Sequence, residues 1–162
     1  MSDNVELLKR IYDRFNARDM ETVLAALHED VIWANGMEGG HVHGREGVRS
    51  YWTRQWAVVD PHVEPVAFAE GPKAQVIVEV HQVVRDLKGN LLVDKMVGHI
   101  FQVENGLVRR FDIREIDAIP VLRVLRPDHG QRGRDSITSW LPTRNDWALG
   151  SVLIYRVCRS TL

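Results

Sequence analysis

The chemistry-bearing residues that the spacing brings closest together are His99 and Asp112. They lie in two strand-like stretches joined by the two-residue turn Asn105-Gly106, at positions that make them cross-strand neighbours. A carboxylate beside an imidazole in an apolar cavity can orient the ring and move its pKa toward neutrality, as general acid/base catalysis requires. The spacing therefore predicts His99 and Asp112 as a catalytic pair. The alternative is that Asp112 forms an ordinary surface ion pair with the arginines on its own strand.

Three further polar positions allow two interpretations each. His81 shares one strand face with Glu79, so it is either a cavity acid/base or a solvated histidine. Asn35 could hydrogen-bond a ligand carbonyl, or it could shape the turn beside Gly36. The pair His41-x-His43 has the types of metal ligands, but no third ligand follows at a recognisable spacing. We therefore predict neither a metal site nor a cofactor.

Aromatic residues are frequent in the predicted core and could also wall a cavity, where hydroxyl and indole N–H groups would bind polar atoms of a flat ligand. Together with the polar positions above, they give the predicted substrate-binding set: Tyr12, Trp33, Asn35, Tyr51, Trp52, Trp56 and His81.

The elements that must position these side chains are three helices followed by a long run of strands. Asp3 with Glu6 is typical of a capping box that opens the first helix, and Asp19 of the N-cap of the second. The glycine-rich stretch 36–44 predicts a loop, and a third helix follows it. The predicted strands are 31–33, 62–70, 74–86, 91–104 and 107–115. Segregated helices and strands favour an α+β domain whose helices cover one face of the sheet.

Length and composition narrow the class of protein. The chain has 162 residues, a length typical of one globular domain. It contains 21 Lys plus Arg and 22 Asp plus Glu, so its net charge gives no reason to expect binding to nucleic acid or to a membrane. Residues 1–118 carry a net charge of −5 and 119–162 a net charge of +4, so we predict a domain over 1–118 and an atypical C-terminal extension over 119–162. The single cysteine and the acidic N-terminus without an apolar stretch predict a cytoplasmic protein.

Four segments, in their order and spacing, resemble the nuclear-transport-factor-2-like superfamily, which includes ketosteroid isomerase, limonene epoxide hydrolase and the SnoaL-like polyketide cyclases. They are YDRFNARD (12–19), LHEDVIW (27–33), GREGVRSYW (44–52) and GHIFQVENGLV (98–108). The resemblance covers about Val5 to Asp117. It implies a cone-shaped, curved antiparallel sheet wrapped around the three N-terminal helices, with an internal apolar cavity and often a homodimer formed through the sheet.

The functional residues of these relatives are only partly matched. Alignment with ketosteroid isomerase places its oxyanion-binding tyrosine at Ile11, its base at Asn35 and its second donor at Gly98. None of these three side chains can perform the corresponding role, so we do not expect steroid isomerisation by that mechanism. In the hydrolase and the cyclases an acidic residue lies on the last strand. The corresponding position in this chain is either Asp112 or Ile113. Since neighbouring residues point to opposite faces of a sheet, a shift of one residue decides between them.

The resulting expectation is a small-molecule enzyme that uses acid/base chemistry without a cofactor on a lipophilic substrate, as an isomerase, cyclase or epoxide-hydrolase-like enzyme. The alternative is a non-catalytic protein that binds an apolar ligand in the same cavity. An inward-facing Asp112 would favour the enzyme, and an outward-facing one the binding protein. The expected partners are a small lipophilic molecule and a second copy of the chain.

Overall fold

The computed structural model describes residues 2–116, so the predicted extension 119–162 lies outside the described residues. The elements, in chain order, are α1 (Asp3–Asn16), α2 (Met20–Ala25), β1 (Leu27–Ala34), β2 (His41–His43), α3 (Gly44–Trp56), β3 (Val59–Glu70), β4 (Gln75–Asp86), β5 (Leu91–Glu104) and β6 (Leu107–Glu115). Within residues 2–116, no helix is sufficiently long and apolar to span a bilayer.

The helices begin where short polar side chains can cap their free N–H groups. The side chain of Ser2 accepts a hydrogen bond from the backbone N–H of Val5, so α1 is capped one residue before the predicted Asp3. Asp19 caps α2 as predicted, through the N–H of Thr22. The apolar residues that repeat every three or four positions along α1, among them Leu8 and Ile11, are buried against the sheet.

The six strands form one curved sheet in the order β2-β1-β6-β5-β4-β3. The pairs β3-β4, β4-β5 and β5-β6 are antiparallel neighbours in sequence, as the hairpin turns predict. β1 joins β6 in parallel, and the short strand β2 pairs with β1 inside the stretch predicted as a loop. The α+β class with a cone-like sheet and N-terminal helices is confirmed. We call the sheet face toward the helices the inner face and the opposite one the outer face.

The register between β5 and β6 contradicts the expected pairing of His99 with Asp112. Near the turn, Val103 lies opposite Val108, but Gln102 lies opposite Arg110, so β6 contributes one extra residue at this point. Such a bulge turns every later side chain of the strand to the other face. His99 consequently lies opposite Ile113, while Asp112 lies opposite Ile100.

Candidate functional site

A pocket lies between the inner face of the sheet and the three helices. It encloses about 70 Å³. An engineered protein cavity that holds benzene measures about 150 Å³, so a ring-sized ligand would also occupy the open side of the pocket. The lining includes the half-buried residues Met37, Gln55 and Gln82. The remaining lining residues are Ile11, Tyr12, Phe15, Val23, Trp33, Ala34, Gly36, Tyr51, Trp52, Val59, Pro61, Val63, Val84, His99, Phe101, Phe111 and Ile113.

The walls of the pocket are largely aromatic because inward positions of three strands meet two helices there. Trp33 packs on Phe111 with ring centroids 4.2 Å apart and meets the edge of Trp52 at 5.3 Å. Phe101 lies 5.0 Å from Phe111. These contacts make an apolar wall, and the few polar groups of the pocket lie within it.

His99 and Tyr12 are the central polar pair of this pocket. His99 Nδ1 lies 2.8 Å from the hydroxyl oxygen of Tyr12, and both residues are buried, at 5% and 4% exposure. Burial lowers the pKa of His99 to about 3 and raises the pKa of Tyr12 well above its usual value. Both groups are therefore neutral at pH 7.

The protons of this pair can be assigned from acidity. A phenol is the stronger donor of the two neutral groups, so Tyr12 O–H donates to His99 Nδ1 and the ring proton lies on Nε2. Nε2 has no hydrogen-bond partner among residues 2–116. Since His99 lines the pocket, its N–H is a donor available to a ligand.

Tyr51 is a second polar group in the wall, positioned by α3. Its hydroxyl oxygen accepts hydrogen bonds from the backbone N–H of Gly36 and from Gln55 Nε2, each at 3.1 Å. Burial raises the pKa of Tyr51 above its usual value. The hydroxyl is therefore protonated and connects α3 to the loop after β1.

Asp112 lies on the outer face, outside the pocket. It is 7% exposed, and its carboxylate accepts hydrogen bonds from Arg110 Nε and His41 Nε2, each at 2.7 Å. Burial alone would raise the pKa of Asp112, but these hydrogen bonds and the charge of Arg110 outweigh it, so the pKa is lowered. Asp112 is thus an ionised member of a charged cluster, and the predicted contact with His99 is wrong.

The predicted substrate-binding residues divide into two groups. Tyr12, Trp33, Tyr51 and Trp52 line the pocket, whereas Asn35, Trp56 and His81 do not.

The last three residues have other surroundings. The Oδ1 atom of Asn35 accepts hydrogen bonds from the backbone N–H groups of Met37 and Glu38. Asn35 therefore shapes the turn, the second of its two predicted roles. Trp56 packs beside Trp52, and His81 faces Asp94 on the outer face at 2.7 Å.

Several wall residues on the strands were not predicted from the sequence. Phe101 lies two positions after His99, and Phe111 and Ile113 alternate on β6, so strand alternation alone would have grouped them with His99 once the bulge was known. Gln82 follows Val80 on the inward face of β4, which was one of the two faces left open. Within residues 2–116 no three His, Cys, Asp or Glu side chains are grouped to hold a metal ion.

Comparison with known proteins decides the family. The SnoaL-like domain profile matches residues 8–111. This chain belongs to the SnoaL-like family. No curated protein sequence matches it well enough to count as a relative.

Solved structures agree with the placement of this SnoaL-like protein in the NTF2-like superfamily. It is similar to an NTF2-like protein of unknown function from Burkholderia pseudomallei, with 26% identity and a TM-score of 0.64 over 78% of this chain and 100% of that one. It is also similar to TerC, co-crystallised with polyporic acid, with 25% identity and a TM-score of 0.63 over 72% and 94% of the two chains. A Xanthomonas campestris protein assigned to the polyketide cyclases shares the fold at 21% identity and a TM-score of 0.61, over 68% and 88%.

Proposed function

We propose that this SnoaL-like protein is an isomerase- or cyclase-type enzyme that binds and polarises a carbonyl group of a small, mostly apolar molecule. The observation that carries the proposal is the neutral His99–Tyr12 pair, buried in an aromatic pocket with the His99 Nε2–H unpaired among residues 2–116. A neutral imidazole held in a dry site acts as a hydrogen-bond donor to a developing oxyanion.

The chemistry follows from the position of that donor. The carbonyl oxygen accepts a hydrogen bond from His99 Nε2–H while Tyr12 fixes the ring tautomer. When the adjacent C–H bond gives its proton to water at the open side, its electron pair moves toward the oxygen, and the same hydrogen bond stabilises the enolate. In a β,γ-unsaturated ketone the enolate is conjugated with the C=C bond, so that return of the proton from the hydronium ion to the γ-carbon, with the double bond moving to the α,β position and the C=O re-forming, completes an isomerisation. Alternatively, the α-carbon of the enolate attacks a second carbonyl of the same molecule, whose oxygen takes the proton from the hydronium ion, and this completes a cyclisation.

A second candidate is the non-catalytic binding protein. It is favoured by Ile113, which fills the inward position on the last strand where an acid was expected, and by the outward position of Asp112. Among residues 2–116, the lining contains no carboxylate that could act as a base.

Solvent exchange of a ketone probe separates the two candidates. The probe is 1-tetralone, whose C2 protons exchange with D₂O through the enol or enolate, and the readout is the decay of their signal in proton NMR. We expect the wild-type protein to accelerate this exchange over buffer, and His99→Leu to lower the acceleration by about 100-fold. Asp112→Asn is the matched control and should leave the rate unchanged, because Asp112 lies outside the pocket.

The outcomes are distinct. Binding of 1-tetralone without accelerated exchange would support the binding protein and contradict the enzyme. An acceleration that survives His99→Leu but is lost in Asp112→Asn would remove His99 from the mechanism. The homodimer that the resemblance implies stays a prediction, and the mass of the chain in solution tests it.

A further inference from the structure

The hydroxyl proton of Tyr51 is a hydrogen-bond donor without a partner among residues 2–116. A phenolic oxygen has two acceptor sites and one proton. Gly36 N–H and Gln55 Nε2 donate to this oxygen, both at 3.1 Å, and so occupy the two acceptor sites. The proton has no acceptor among residues 2–116. Tyr51 is only 4% exposed and lines the pocket, so the proton is left for a ligand.

The position of this hydroxyl relative to His99 follows from their shared neighbour Ile113. A Cβ built on Gly36 would lie 3.6 Å from the Tyr51 hydroxyl and 3.4 Å from Ile113 Cδ1. Ile113 is also the cross-strand partner of His99 on the inner face. Both polar groups therefore lie near Ile113 in the lining of the same pocket, together with the aromatic side chains of Trp33 and Phe111.

We propose that Tyr51 is a second hydrogen-bond donor of the pocket, and that its ligands carry two separate oxygen acceptors on one flat apolar body. One oxygen binds at His99 and the other at Tyr51. This inference rests on the proposed function only for the carbonyl at His99, because the Tyr51 contact needs no catalysis. A buried donor without a partner costs free energy, and a ligand oxygen that satisfies it recovers that cost.

The test compares two ligands of nearly equal size. The probes are 6-methoxy-1-tetralone, which has an ether oxygen at the end opposite the carbonyl, and 6-ethyl-1-tetralone, in which a methylene replaces that oxygen. Affinities are measured by ligand-observed NMR titration with the full chain. We expect the wild type to bind the methoxy compound about three- to tenfold more tightly, the range of one hydrogen bond.

The variants assign this preference to one hydroxyl. Tyr51→Phe is expected to reduce the ratio of the two affinities to about one, because it removes the donor and keeps the ring. Asp94→Asn is the control: it removes a charge on the outer face, outside the pocket, so the preference should survive. Thermal unfolding of both variants shows whether they fold.

The outcomes distinguish a failure of the Tyr51 proposal from a failure of the proposed enzymatic function. Equal affinities of the two probes for the wild type, or a preference that persists in Tyr51→Phe, would overturn the role of Tyr51. Failure of all tetralones to bind would overturn the proposed ligand class. Absence of solvent exchange at C2, with the methoxy preference present and lost in Tyr51→Phe, would contradict the enzyme while supporting Tyr51 as an anchor.

Discussion

The inner and outer faces of β5 and β6 each hold a buried polar residue, and the surroundings of these two residues differ. On the inner face, His99 lies among aromatic rings with Tyr12 as its hydrogen-bond partner, and burial keeps it neutral. On the outer face, Asp112 lies between Arg110 and His41 and stays ionised although it is also buried.

The difference shows that burial alone does not determine charge. Removal of water penalises the charged form of both residues, but Asp112 has the cationic donor Arg110 and a hydrogen bond from His41, which together outweigh the penalty. The inner face can therefore offer neutral donors to an apolar ligand, while on the outer face the hydrogen bond between Asp112 and His41 anchors the edge strand β2.

Placing a carboxylate on the inner face should have the largest effect on the free energy of unfolding. Ile113→Asp introduces a carboxylate on the inner face, where its cross-strand partner is the neutral His99, and we expect a loss of about 3 kcal/mol in the free energy of unfolding at pH 7. Because burial raises the pKa of such a carboxyl, the loss should shrink as the pH falls toward 5. Urea unfolding at pH 7 and pH 5 measures both, with Ile113→Asn as the uncharged control. A pH-independent loss would mean that the carboxylate reaches water.

The neutral state of His99 predicts acid sensitivity. The unfolded chain binds a proton at this histidine below about pH 6.5, whereas the folded chain does so only near a pKa of about 3. The unfolded state therefore binds more protons between these values, and this contribution to stability decreases as the pH falls. Relative to His99→Gln, the wild type should lose about 2 kcal/mol between pH 6.5 and pH 4.5. Parallel pH profiles in urea unfolding would contradict a neutral, buried His99.

Asp112→Asn on the outer face should have a smaller effect. The amide keeps the volume of the carboxyl but loses the charge that Arg110 and His41 contact, and both of these partners reach solvent. We expect a loss of about 1–2 kcal/mol at pH 7. The pKa of Asp112 is lowered in the folded state, so this contribution is present above the unfolded pKa and is lost as the pH falls through the folded one. A difference that is constant from pH 7 to pH 2 would exclude the ion pair as its source.

Asp94→Asn should have the smallest effect, although its geometry is similar. His81 Nε2 lies 2.7 Å from Asp94 Oδ1, the same distance as in the His41–Asp112 pair, but the Asp94 side chain is 54% exposed. We expect a change below about 0.5 kcal/mol at pH 7. A loss as large as that of Asp112→Asn would show that burial is not what distinguishes the two pairs.

Local sequence features determined most of the elements. The repeat of apolar residues set the helices, and the turns at Gly89 and Asn105-Gly106 set the hairpins, since each depends on residues close in the chain. Four of the five aromatic residues predicted for the cavity line the pocket, because side chains of that size are buried wherever the helices meet the sheet.

The chemistry of the site was decided by tertiary structure. One extra residue near Arg109 turned Asp112 outward and Ile113 inward, and nothing in the alternation of β6 indicates where the two strands change register. The partner of His99 is Tyr12, 87 positions earlier in the chain, and the pairing exists only because α1 packs on the inner face of the sheet. Sequence sets what each residue can donate or accept. Which donors and acceptors meet, and whether water reaches them, depends on the packing of distant segments.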